Sequence, residues 1–346
     1  MMKRLLTFMA AVAIVFSACT GNKQQAAQQN VPDELQTKAK SLFGVLPKEA
    51  SSPDNLVTPE KVLLGKTLFY DTRLSPKGNN SCNTCHNLST YGVDNKSFSI
   101  GDEGKPGGRN SPTVLNAALE FVQFWDGRSP NLEDQAGGPI MNPVEMNMHS
   151  KEDLEKMLAG IEGYKQMFAA AFPDDPNPVT FQHVQMAIAA FERTLLTPSD
   201  FDVYLEGSTD ALTAQEKQGL QTFIDVGCTA CHMGVLAGGN MYQKFGLFKP
   251  YHELTGSEKV DPGRAEVTKS GADSLMFKVP TLRNIEKTFP YFHDGSVADL
   301  EKAIKIMGMA QLDKEITDTQ AKDIAAFLAS LTGQVPADAQ QAPPMP

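Results

Sequence analysis

Apolar residues recur at helical spacing along most of the chain. Leu63, Leu64 and Leu68 follow Thr58-Pro59-Glu60, and proline at a first helical position misses no amide donor, so a helix starts there. From Ser150 to Phe172, Leu154, Leu158, Ile161 and Met167 form an inward stripe, with Gly160 and Gly163 as breaking points. Over 180–196, Val184, Ile188, Phe191 and Leu195 make a third stripe. Thr213 with Glu216 reads as a capping box for a fourth helix through Leu220, Phe223 and Ile224, ending at Gly227. A fifth helix is predicted over 297–307. A sixth runs from the Thr317/Gln320 box to near Leu331.

No alternating strand pattern stands out, so the expected class is all-α. The segments 87–147 and 233–292 are rich in Gly, Pro and Asn and carry few helical signals. Loops that long in a compact chain are usually functional or wrapped around something. Residues 198–212 are polar and turn-rich and read as the boundary between two halves, 46–200 and 201–333.

The ends look different. Lys3 and Arg4 precede an apolar run, Leu5 to Ala18, broken only by Thr7 and Ser17. It is too short to span a bilayer comfortably, so 1–18 reads as an export signal. It closes on Val15-Phe16-Ser17-Ala18-Cys19, the form of a bacterial lipoprotein signal, although Phe16 stands where leucine is usual. Cys19 is then the lipidation site, 19–45 a lipidated tether, and the protein periplasmic and held to a bacterial membrane by lipid alone. Residues 334–346 read as a disordered tail. The 346 residues suit about two domains. A formal charge of −10 argues against nucleic acid as a partner, since phosphate binding relies on clustered Lys and Arg.

Beyond Cys19 there are four cysteines, in two strings: Cys82-Asn83-Thr84-Cys85-His86 and Cys228-Thr229-Ala230-Cys231-His232. None is left for a disulfide framework. Cys-x-x-Cys-His is the attachment signature of c-type haem. Two thiols one turn apart bond the two vinyl groups, and the adjacent histidine lies under the iron. At this composition one chance occurrence is expected in about one chain in a thousand. The competing readings are a redox dithiol, which needs a βαβ context that is absent, and a Cys₄ zinc site. Pairs 146 residues apart, one in each half, disfavour the latter.

Taken in order, SCNTCHNLSTYGVD, GGRNSPTVLNA, FWDGR, PVEM, GCTACH, FKVPTLRN and PYFHDGS resemble the bacterial di-haem cytochrome c peroxidases, over about residues 64 to 331. The resemblance implies two cytochrome c-like haem domains with long haem-wrapping loops and two covalently bound haem c groups. It implies His86 and His232 as proximal ligands and Met307, fourteen residues after His293, as the second haem's distal ligand. Met309 and Met276 are its competitors. Methionine ligation raises reduction potential, so the second haem would accept and store an electron. The first haem would be the peroxide site, with Gln135 and Glu145 in its distal pocket and Trp125 relaying electrons between the haems. Asn110, with the carbonyls of Thr288 and Pro290, matches a calcium site, and all-oxygen ligation suits Ca²⁺. His293 and Arg264 would contact haem propionates. The implied partners are hydrogen peroxide, a small cytochrome c or copper protein as electron donor, and a second copy in a homodimer.

One position departs from the family. Many members carry a histidine sixteen residues after the first proximal histidine, and it ligates the resting iron. Here that position is Asp102. A carboxylate is a poor substitute for imidazole, so the first haem is expected to be open or water-bound at rest, with His149 the only nearby imidazole that could swing in. His183, on a helix, reads as structural, and His252 lies in a loop with no evident partner. Two alternatives remain. A related enzyme, like the methylamine dehydrogenase maturation enzyme, oxidises a protein substrate and has tyrosine where Met307 stands. A plain electron carrier would need a strong distal ligand on both irons.

Overall fold

The computed structural model describes residues 34–346. The expected export signal, Cys19 and the first part of the tether lie outside the described residues. In chain order the helices are α1 Glu34–Leu42, α2 Pro59–Tyr70, α3 Cys82–Cys85, α4 Leu132–Met141, α5 Lys151–Ala159, α6 Glu162–Ala171, α7 Phe181–Glu192, α8 Asp200–Glu206, α9 Ala214–Val226, α10 Tyr251–Thr255, α11 Ala265–Thr268, α12 Leu300–Leu312 and α13 Asp318–Ala329. The all-α expectation holds apart from a two-stranded antiparallel ribbon. In it β1 Tyr242–Lys244 pairs with β2 Met276–Lys278, with Gln243 opposite Phe277.

Two separate cores carry the fold. The first gathers Leu64 and Leu68 of α2, Leu154 and Leu158 of α5, Tyr164 and Phe168 of α6, and Val184, Ile188 and Phe191 of α7. The second gathers Phe201 and Tyr204 of α8, Leu220 and Phe223 of α9, and Ile324, Phe327 and Leu328 of α13. Each such side chain contributes about 1.5–3 kcal/mol by leaving water. The cores share a device. A Cβ on Gly65 of α2 would stand 1.8 Å from the carbonyl oxygen of Ala187 in α7, and one on Gly219 of α9 would stand 1.8 Å from that of Asp323 in α13. Each half thus rests on one close helix crossing that only glycine permits.

Local capping explains the helix ends. Thr58 accepts from Lys61 N, and the Thr213/Glu216 and Thr317/Gln320 boxes form as expected. The 150–172 stripe breaks after α5 at Gly160, where Ile161 turns extended before α6.

Several expectations are corrected. The fifth helix does not stop at Met307 but continues to Leu312, because Ala310 extends its buried face. The segment 87–147 contains α4, capped by Asn131 and burying Leu132, Ala136 and Ile140 at every fourth residue. The 198–212 boundary is helical and buries Phe201, Tyr204 and Leu205 in the second core. Residues 34–45 are no tether: Ala39 and Phe43 join that same core. Residues 334–346 are not a disordered tail either. Val335 and Ala339 enter the first core, the Tyr70 hydroxyl donates to Ala339 O at 2.8 Å, and Arg73 donates to Pro346 O at 3.1 Å.

Candidate active site

α3 is a single turn that sets Cys82 and Cys85 on one side and hands the chain to His86. The second motif repeats this after Gly227, the left-handed cap of α9. His86 Nδ1 lies 3.4 Å from Gly92 O, and His232 Nδ1 lies 3.1 Å from Ala237 O. A ring that donates from Nδ1 presents the lone pair of Nε2 to a metal. Burial pushes both imidazoles down, His232 to about 4, which keeps them in the neutral form that iron binds.

Two cavities open onto these motifs. Cys82, Cys85, His86, Gln135 and Glu145 line the first. Cys228, Cys231, His232 and Met307 line the second. Met276 and Met309 line neither, so among the three candidate methionines only Met307 shares a cavity with His232. Asn110, Glu120, Trp125, Lys278 and His293 line both cavities and form a common wall.

Trp125 is fixed in that wall. Its Nε1 donates to Asn110 O at 2.8 Å, its carbonyl accepts from Lys278 N at 2.8 Å, and its ring meets that of His293 edge-on at 6.4 Å. His293 is 2% exposed and stacks on Phe277 at 4.3 Å. Its Nε2 is buried without a hydrogen-bond partner. Such an orphan is expensive unless something fills it, and a haem propionate is the group a ring N–H there would bind. Thiols, neutral imidazoles, apolar walls and this unpaired nitrogen together fit two haems.

Glu145 and Gln135 reach the first cavity from different elements, the turn after α4 and α4 itself. Burial raises the Glu145 carboxyl, with Arg128 and Asn142 working against it. Asp102 is 2% exposed and does not line this cavity. One of its oxygens accepts from Lys77 N at 3.3 Å, the other is unpaired, and its own amide donates to Glu145 O. His149 is exposed and lines neither cavity.

Other expected residues divide. Asn110, Thr288 and Pro290 all line the second cavity. Arg264 is brought to neither, because its guanidinium is held by Tyr242 Oη at 2.5 Å and Asp126 O at 3.0 Å and stacks on the Tyr242 ring. The arginines that line the first cavity are Arg128 and Arg109, the latter bound to Asp126, Asp261 and Glu266. Arg109 lies inside the GGRN string but carries no pattern of its own. The Lys278–Glu120 ion pair in the common wall, 4% and 8% exposed, has no sequence signal beyond its apolar neighbours. His183 is structural as read, stacking on Phe172 at 3.8 Å and bonding Pro178 O.

Two helical cores, each feeding a Cys-x-x-Cys-His turn into its own cavity, define a di-haem c-type cytochrome. A family model for di-haem cytochrome c peroxidase matches residues 59–210. The chain is 47% identical over 292 residues to the cytochrome c551 peroxidase of Nitrosomonas europaea, covering 83% of this chain and 85% of that one. It is 45% identical to the cytochrome c551 peroxidase of Pseudomonas aeruginosa, covering 88% of each. Among solved structures it is similar to a MauG-like protein associated with microbial copper homeostasis, with TM-score 0.75 and 29% identity over 86% of this chain and 97% of that one. The chain belongs to the di-haem cytochrome c peroxidase family.

Proposed function

We propose that the protein reduces hydrogen peroxide, H₂O₂ + 2H⁺ + 2e⁻ → 2H₂O, with electrons from a small cytochrome c or cupredoxin. The observation that carries this reading is the convergence of Glu145 and Gln135 on the cavity of His86, while Met307 faces His232 in the other. Family membership and the names of the relatives support it.

When bound, the haems supply the iron chemistry, cleavage of the O–O bond in the first cavity and electron storage in the second. Cys82, Cys85 and His86 hold one, and Cys228, Cys231, His232 and Met307 the other. Glu145 accepts a peroxide proton on its carboxylate and returns it to the leaving oxygen, a role typically worth about 10²–10⁴ in rate. Gln135 orients the oxygen atoms with its carboxamide. Trp125 bridges the two cavities as the electron path. His293 binds a propionate. Asn110, Thr288 and Pro290 hold a calcium ion through oxygen donors.

The protein works outside the cytoplasm, tethered through Cys19, and pairs with a second copy. Among the described residues no helix is long and apolar enough to cross a membrane. The protein-oxidising alternative is not favoured, because Met307 stands where that enzyme has tyrosine.

Stopped-flow mixing of peroxide with the holoprotein and a reduced donor tests the function. Donor oxidation at two equivalents per peroxide is expected. A protein that takes up donor electrons yet leaves peroxide unreduced is a carrier.

A further inference from the structure

We propose that Glu192 is a redox-linked proton site of the first haem, its carboxylate binding one solvent proton for each electron that reaches the iron held by His86. The inference rests on the first haem seating in the cavity described above.

Glu192 closes α7 and is 3% exposed. Its side chain lines the first cavity, with Cys82 and Ile188. Among the described residues it has no hydrogen-bond or ion-pair partner. The adjacent Arg193 is spoken for, donating to both carboxylate oxygens of Glu133 in α4 at 2.7 and 3.1 Å. Lys61 of α2 lies by that same pair and donates to Asn55 Oδ1 at 3.1 Å. Glu155 of α5 accepts from Phe181 N, so it too faces elsewhere. Glu145 and Arg128 line the cavity with Glu192. Cys82 of α3 is within electrostatic reach: burial raises its thiol, and the Glu192 carboxylate raises it further.

A buried carboxylate with no cation is costly, and it is neutralised when the charge around it turns more negative. Burial pushes the Glu192 carboxyl up to about 8, with Arg193 opposing and Glu133 adding to the rise. The group therefore stands close to its own titration near neutral pH. One electron arriving at the iron removes one positive charge from the cavity. One proton taken from solvent by the carboxylate restores the balance: the ferric iron is reduced, the donor is oxidised, and Glu192 becomes a carboxylic acid. One of the two protons the reaction consumes is then already beside the first haem, in a position that neither Glu145 nor Gln135 occupies.

The test is a visible-absorbance redox titration of the first haem in holoprotein from about pH 5 to about pH 10. It compares the unaltered protein with Glu192→Gln, Glu192→Asp and Glu145→Gln. The midpoint potential of the unaltered protein is expected to fall by about 59 mV per pH unit, the one-electron value for a tenfold change in proton activity, across a window that includes neutrality. Glu192→Gln flattens that window. Glu192→Asp keeps the slope but moves its break points, and Glu145→Gln keeps it unchanged. A Glu192→Gln protein with the original slope overturns the proposal, as does a Glu145→Gln protein that loses it. Should Glu192→Gln not fold, unmoved break points in Glu192→Asp are equally fatal. A first haem that never seats shows as missing absorbance in the unaltered protein, which defeats the underlying reading separately from this one.

Discussion

The backbone amide of Asp102 donates a 2.7 Å hydrogen bond to the carbonyl of Glu145. That bond fastens the turn at 101–104 to the segment carrying Glu145. The Asp102 side chain is turned to Lys77 N and away from the cavity. Position 102 is therefore pinned and holds no imidazole. The expected result is a high-spin signal from the first haem in electron paramagnetic resonance of the fully oxidised protein. Turnover should begin on the first addition of peroxide, with no prior reduction. Two low-spin haems and no high-spin species would show the idea to be wrong.

Glu145→Gln should lower kcat/KM for peroxide by about 10²–10⁴ while leaving the absorbance of both haems intact. Burial holds this carboxyl above its ordinary value. Its base form is the one that accepts the proton, so activity rises as pH rises through that raised value. The acidic limb of the kcat/KM profile should vanish in the variant. An unaltered limb assigns the proton to another group.

Met307 lies in the body of α12, on the wall facing His232. Thioether ligation raises haem potential. Met307→His should lower the potential of the second haem and slow its reduction by donor at least tenfold, with peroxide binding at the first haem unchanged. Potentiometry and stopped-flow reduction read the two effects. A second haem of unchanged potential would remove Met307 from the iron.

The second core contains an ion pair that sets acid stability. Arg283 is 1% exposed and donates to both oxygens of Asp202 at 2.6 and 2.9 Å. Burial raises the Asp202 carboxyl, but the hydrogen bonds and charge of Arg283 outweigh it and leave it below its ordinary value. The folded value is then lower than the unfolded one, about 3.9. The stabilisation is complete above the unfolded value and is lost as pH falls through the folded value. Arg283→Met leaves a buried carboxylate without its cation, held only by Leu46 N and Ser199, and should cost about 3–5 kcal/mol at neutral pH. Thermal unfolding from about pH 2 to 7 should show that deficit shrinking on acidification. A deficit independent of pH would mean that packing, not charge, is what is lost.

The parts of the fold legible in the sequence were those fixed by neighbours. The Thr213/Glu216 and Thr317/Gln320 boxes close over three residues, so their helices are readable from a few letters. α4 is not legible, because Gly137-Gly138-Pro139 masks the period of Leu132, Ala136 and Ile140. Composition alone makes residues 334–346 read as unstructured, because it does not reveal the surface that receives Val335 and Ala339. The site divides the same way. The two histidines are announced by adjacent cysteines. Arg264 is held by Tyr242 away from the cavity that Arg109 lines, a difference no local string reveals. Glu192 carries no sequence signal, because the partner that takes its neighbour Arg193 is the distant Glu133.

The returning C-terminus has a consequence for the order of events in biosynthesis. Most of the first core precedes the second in the chain, yet two of its buried residues, Val335 and Ala339, lie beyond every residue of the second. The interior of the leading half is therefore filled only once the other half has been made.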